Sequence, residues 1–230
     1  NPVLAGRYYD GFSLGWSVPV LRTEYRLLWP AGRTLHIKSH GSVPAPRVRA
    51  LAGATEYIWS VGASQPISED DDLPAWYDPY PWVQLSENGS WREVVQWALP
   101  LYAARSDIGT DVRAVAAAIA ARSGDKREML VEVLRFVQNE IRYLGIEMGA
   151  RSYAPNPPEM VLRQRFGDCK DKSLLMVTLL RELGIEAYPA LVNTRYRKQI
   201  AEWQPTPTAF NHLIVYARMD GKAYWLDPTR

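Results

Sequence analysis

The run "FGDCKDKSLLMVTLLRELG", residues 166–184, holds the one cysteine of the chain, Cys169, where a turn gives way to an apolar helical pattern. Gly167 and Asp168 read as turn and N-cap, and Asp171 falls in the first helical turn, where a carboxylate suits the unsatisfied N–H groups. Cys169 is therefore expected at a helix N-terminus. There the positive end of the helix dipole favours a thiolate, and Lys170 and Lys172 add positive charge, so the thiol is expected to titrate below its ordinary value of about 8.5. A lone thiol is most often a small buried hydrophobe, so position alone leaves the inert and the reactive reading both open.

A nucleophilic thiol needs a base. Of the three histidines, His36 and His40 alternate with Leu35 and Ile37 in "TLHIKSH" and read as solvated residues on the polar face of a half-buried strand, which leaves His212. In "NHLIVYARMDGKAYWLDPT" the pair Asp220-Gly221 is a preferred two-residue hairpin turn, so Met219 should face Lys222. That register sets Ile214 opposite Asp227 and places His212 diagonally from Asp227 on the same face. Diagonal neighbours lie roughly 7–8 Å apart between backbones, within reach of an imidazole and a carboxylate that lean together; a one-residue bulge would separate them. Taken singly, His212 reads as a polar strand start and Asp227 as a turn residue before Pro228. Jointly, Cys169, His212 and Asp227 supply a nucleophile, a base and a group to orient the base, and this joint reading is preferred.

The elements that must position these groups divide into two stretches. In the first hundred residues, "TEYRLLWP", "RTLHIKSHGS", "ATEYIWSVG" and "WVQLSENGSW" mix aromatic and β-branched residues with turn formers, as expected of an antiparallel, sandwich-like β-rich module. Within it, Asp70 to Asp72 lack the ligand spacing of a calcium loop and read as a solvated loop. Trp76, Tyr77, Tyr80 and Trp82 are expected to cover a sheet edge rather than line a ligand groove. Asn88-Gly89-Ser90 matches a glycosylation acceptor but is read as a hairpin turn. From "WREVVQWALPLY" the hydrophobic period changes to about 3.6. Helices follow over residues 111–124 and in "KREMLVEVLRFVQNEIRYLG", where Leu130, Val133, Leu134, Val137 and Ile141 form one stripe. The helix from Cys169 is stopped by Gly184, and "EAYPALVNT", "HLIVYARM" and "KAYWLDP" return to strands. The boundary is expected between residues 92 and 112, giving a β-rich domain over 1–100 and a second domain over 101–230.

The bulk numbers exclude several classes. A formal net charge of +2, from 27 basic and 25 acidic residues without a long basic run, lacks the footprint of a nucleic-acid binder. Apolar stretches such as "SLLMVTLL" fall far short of the roughly 20 residues that cross a bilayer. One cysteine and scattered histidines form no metal-ligand cluster, and no cofactor is expected. A chain that begins without Met and stops after "WLDPTR" is expected to be a trimmed piece, its targeting segments elsewhere.

"FGDCKDKSLLMVTLLRELGIEAYPALV", followed by "NHLIVY" and "WLDPT", resembles the bacterial transglutaminase-like superfamily of papain-like fold, over residues 126–230. The resemblance implies an α+β domain whose core helix, with the cysteine at its start, packs on an antiparallel sheet. It implies nucleophile, base and orienting roles for Cys169, His212 and Asp227, and acyl-transfer chemistry on a peptide or protein substrate through a thioester. Hydrolysis by a peptidase or amidase is the expected outcome; amine transfer by a transglutaminase, or a non-catalytic peptide- or glycan-binding module, are the alternatives. The backbone N–H of Cys169 is expected in the oxyanion hole, with Gln164 available as a further donor. The β-rich stretch looks like the uncharacterised domain that precedes such domains in many exported bacterial proteins, which implies a periplasmic or extracellular location. Set against that family, the β-rich domain is expected to lack its first strands and the second domain its last.

Overall fold

The computed structural model describes residues 2–68, 72–103 and 108–230. Asp70 and Asp71 of the acidic cluster lie outside the described residues. The chain divides into two compact units: Arg7–Val95 with Asn193–Ala209, and Asn1–Gly6 with Gln96–Val192 and Phe210–Arg230.

The first unit is β-rich. Its strands are β1 (Tyr9–Ser13), β2 (Thr23–Pro30), β3 (His36–His40), β4 (Arg47–Leu51), β5 (Ala54–Val61) and β6 (Trp82–Ser86). They form two antiparallel three-stranded sheets, ordered β1-β6-β3 and β2-β5-β4. Strand β2 shows why: Leu27 and Trp29 turn inward while Leu28 and Pro30 face out, the period-two pattern of a half-buried strand. Side chains of both sheets meet in one core around the fully buried Trp59, where Phe12 stacks on Tyr25 with ring centroids 3.7 Å apart. The segment Asn193–Ala209 runs back along β6. Gln204 N donates to Gln84 Oε1 (2.9 Å) and Ser86 Oγ donates to the Pro205 carbonyl (2.6 Å).

That returning segment overturns the reading of His40 as solvated. His40 stacks on Trp82 (4.2 Å between centroids, planes 10° apart), and its Nε2 lies 2.9 Å from Gln84 Oε1. His36 is half-buried as well. Alternation correctly set these residues on one face, but could not show that Trp203, 163 residues beyond His40, covers it. The hairpin-turn reading of Asn88-Gly89-Ser90 is also corrected. Asn88 is fully buried, and Ser90 caps α1 (Trp91–Ala98): its hydroxyl lies 3.4 Å from the Glu93 N–H, while Glu93 Oε1 accepts from Gly89 N (3.3 Å). Of the aromatic run, Trp82 packs inward, whereas Trp76 and Tyr77 remain 38% and 47% exposed.

The second unit is α+β. Helix α2 (Thr110–Arg122) buries Val112, Ala116 and Ile119 at helical spacing. Helix α3 (Lys126–Glu140) begins on Asp125, whose carboxylate accepts from Arg127 N and Glu128 N, and buries Leu130, Val133 and Val137. Two-residue strands β7 (Arg142–Tyr143) and β8 (Phe166–Gly167) pair in parallel, with the short helix α4 (Pro158–Gln164) between them in sequence. Helix α5 (Cys169–Glu182) is buried at every position from Cys169 to Leu180. It packs on an antiparallel sheet ordered β11-β10-β9, made by β9 (Glu186–Val192), β10 (His212–Met219) and β11 (Lys222–Leu226). Pro189 sits on the edge strand β9, where a missing N–H is tolerated. No helix among the described residues is long and apolar enough to cross a membrane.

Leu175 is fully buried at the centre of this core. Leu175→Ala is expected to destabilise the chain by about 2–5 kcal/mol, measured by urea unfolding of both proteins.

Candidate active site

The start of α5 is fastened by carboxylates. Asp168 Oδ1 accepts from Lys170 N (2.8 Å) and Asp171 N (3.2 Å), and Asp171 Oδ2 accepts from Asp168 N (3.3 Å), closing a reciprocal cap. Asp171 reaches further, accepting from Asn156 N (2.6 Å) and Asn156 Nδ2 (3.1 Å). Gly167 is demanded by this closeness: a Cβ there would lie 2.6 Å from Asp171 Cβ. Its carbonyl accepts from Leu144 N (2.9 Å), which anchors the turn to the chain beyond β7.

Cys169 stands on that turn, 4% exposed, in an apolar cluster with Ala98, Tyr102 and Leu213. The expectation of a lowered thiol pKa is corrected. Burial, which penalises the thiolate, pushes Cys169 up; the Lys170 ammonium and the Leu213 backbone oppose this without offsetting it. Lys170 is itself occupied: its Nζ bonds Asp168 Oδ2 (2.6 Å) and Glu147 Oε1 (3.1 Å), so two carboxylates shield its charge from the sulfur. The Lys172 ammonium donates to the Ile141 carbonyl, and burial pulls that lysine down.

His212 opens β10. The turn residues Asp220 and Gly221 both take positive φ (51° and 74°), as a type I′ hairpin requires, and Met219 pairs with Lys222 without a bulge through Val215 and Leu226. His212 Nε2 accordingly lies 3.0 Å from Asp227 Oδ2, with side chains 15% and 25% exposed. The other carboxylate oxygen, Oδ1, accepts from Thr229 N (3.0 Å) and Thr229 Oγ1 (2.7 Å). Burial alone would raise Asp227, but the Thr229 hydroxyl and N–H, with His212, outweigh it and hold the carboxyl below its usual range. An ionised Asp227 accepts from Nε2–H and leaves Nδ1 as the basic nitrogen. Ser173 Oγ donates to the Leu213 carbonyl (3.1 Å), tying α5 to β10 one residue beyond His212.

The structure thus joins His212 to Asp227 directly and sets the Cys169 sulfur against Leu213, the neighbour of His212. Gln164 is used elsewhere, its amide donating to the Phe166 carbonyl (2.7 Å). Tyr102 escaped sequence reasoning. It packs against Cys169, and its hydroxyl donates to the Tyr153 carbonyl (2.9 Å). Nothing in "WALPLYAAR" marks that tyrosine, because its role arises from a fold neighbour 67 positions on. Gly167→Ala is expected to destabilise the chain by about 1–3 kcal/mol in urea unfolding and to change the alkylation rate of Cys169, since Asp171 must give way.

Residues 113–226 match the family model of the transglutaminase-like superfamily, and residues 1–68 match a domain of unknown function, DUF3857. The superfamily match takes in Cys169 and His212 and ends beside Asp227. No curated protein matches the chain. Among solved structures, a "putative protease" from Parabacteroides distasonis ATCC 8503 superposes with a TM-score of 0.78 at 19% identity, over 96% of this chain and 43% of that one. The chain therefore spans under half the length of that protein, and the likeness shows a shared fold. A "putative cysteine protease" from Cytophaga hutchinsonii (TM-score 0.43, 10% identity, 96% of this chain and 75% of that one) superposes too loosely to bear on it. So does the periplasmic domain of TgpA from Pseudomonas aeruginosa (0.38, 13%, 95% and 75%). Over residues 113–226 this chain belongs to the transglutaminase-like superfamily, preceded by a DUF3857 domain.

Proposed function

We propose that the chain is a papain-like cysteine acyl-transfer enzyme, a peptidase or amidase in which Cys169 is the nucleophile, His212 the general base and acid, and Asp227 the group that orients His212. The observation that carries this reading is the 3.0 Å bond from His212 to a doubly anchored Asp227 carboxylate; it is supported by a sulfur at the N-terminus of a buried helix, packed against Leu213, the residue after His212. The sulfur attacks the carbonyl carbon of a peptide or carboxamide while its proton passes to His212 Nδ1. The tetrahedral oxyanion falls within reach of the Cys169 N–H at the helix start. His212 then protonates the amine as the C–N bond breaks, leaving a thioester. Water, deprotonated by His212, attacks the thioester, and the acid and the free thiol are released. The resemblance places this chemistry outside the inner membrane, and that location is part of the proposal.

Burial of Cys169 favours a thiol that is neutral at rest and is deprotonated as it attacks, rather than a standing thiolate–imidazolium pair. Iodoacetamide labelling of Cys169 is then expected to rise with pH through a midpoint above about 8.5, whereas a plateau reached below pH 7 would contradict this.

Turnover of a library of peptide amides is expected to vanish in Cys169→Ala and to fall about 10²–10⁴-fold in His212→Ala, with thermal melting preserved in both. Undiminished cleavage by Cys169→Ala would end the proposal. Including a labelled primary amine separates the two fates of the thioester: cleavage without incorporation marks hydrolysis, and incorporation into a glutamine-rich protein marks amine transfer.

A further inference from the structure

The β-rich unit contains two adjoining cavities, of about 180 and 420 Å³, for which the proposed chemistry has no use. They share Asp78, Trp82, Tyr196 and Trp203 as walls. The rings meet at steep angles: Trp82 and Trp203 stand edge to face with centroids 5.1 Å apart at 73°, and Tyr196 and Trp203 are tilted, 4.8 Å apart at 57°. A sugar face asks for a flat platform, whereas rings that converge at steep angles present several π faces to one point. Trp76 and Tyr77 form an exposed rim.

The walls are pre-arranged by polar contacts. Asn193 ties off its loop: Oδ1 accepts from Arg195 N (3.0 Å) and Tyr196 N (2.7 Å), and Nδ2 donates to the Ala209 carbonyl (2.7 Å). The Tyr196 hydroxyl donates to Asp78 Oδ2 (3.1 Å), and Tyr80 N to Asp78 Oδ1 (3.1 Å), which fix that carboxylate at the junction of the cavities.

Charge decides the ligand. Asp78 and Glu202 line the smaller cavity and Asp10 and Asp78 the larger, and none of the described lining residues of either is Lys or Arg. The one titratable base in the walls, His40, is pushed down by burial. Its partner Gln84 Oε1 already accepts from Gln204 N, so His40 meets it as a neutral Nε2–H donor. The Arg195 guanidinium lies 5.0 Å from the Tyr196 ring centroid and occupies that ring. Trp82 and Trp203, beside Asp78 and Glu202 and without a lysine or arginine among the described lining residues, make an incomplete cation cage. We propose that this cleft binds the cationic side chain of a basic peptide, a lysine ammonium or arginine guanidinium, with Trp82 and Trp203 as π faces and Asp78, held by the Tyr196 hydroxyl, as counter-ion.

The test is calorimetric titration of the full chain carrying Cys169→Ala, so that turnover plays no part and the result stands apart from the acyl-transfer reading. Acetyl-Ala-Lys-Ala-amide and its arginine counterpart are expected to bind, and the norleucine peptide of equal length is not. Asp78→Asn, which keeps every ring and the Tyr196 bond partner, is expected to weaken the lysine peptide about fivefold or more. Trp203→Leu, checked for an unchanged circular-dichroism melt, is expected to do the same. Equal binding of lysine and norleucine peptides, an unchanged affinity in Asp78→Asn, binding of chitohexaose or phosphocholine without the basic peptides, or no binding at millimolar peptide would each overturn the proposal.

Discussion

A helix buried over twelve successive residues must begin somewhere, and its first N–H groups must still find acceptors. In α5 that demand is met by Asp168 and Asp171, and the rest of the site follows from it. Two carboxylates in a buried turn require a counter-charge, which Lys170 supplies with its Nζ 2.6 Å from Asp168. Asp171 has no room for a side chain on Gly167, so the turn is a glycine. The same carboxylate reaches Asn156, drawing the segment before α4 onto the helix start. The position of the sulfur is the outcome of a hydrogen-bonding problem solved around it.

That solution has an electrostatic consequence. The Lys170 charge nearest the sulfur is largely spent on Asp168 and Glu147, and the apolar neighbours Tyr102 and Leu213 remove water, so burial governs the thiol. The opposite holds at Asp227, where Thr229 gives two hydrogen bonds and the carboxyl stays ionised despite its burial. A neutral thiol and a charged orienting carboxylate form a consistent set for the proposed chemistry. The proton has to move during attack, and His212 is held in the tautomer able to receive it.

The hairpin was legible because its determinants are local. Asp220-Gly221 selects a turn, the turn sets the register, and the register brings His212 within 3.0 Å of Asp227. The cap was legible for the same reason, since Asp168 and Asp171 act within one helical turn. Errors arose where a distant segment intervened. His40 reads as solvated until residues 203–205 are laid over its strand face, and Asn88-Gly89 reads as a hairpin until Ser90 and Glu93 are seen to start a helix. Strands β1 and β4 carried too little contrast for their period to stand out; β4 is exposed at every position.

By itself, the order of residues determined where α5 begins and the register of the β10–β11 hairpin that sets one imidazole and one carboxylate on a common face, because short-range hydrogen bonding and the two-residue period of strands are written in neighbours. The tertiary structure decided how far the thiol is dehydrated, that Tyr102 closes over it, and that Trp82, Trp203 and Tyr196 converge around Asp78. Those properties depend on which remote side chains displace water from a group, and desolvation is a property of the packed whole that no local pattern encodes.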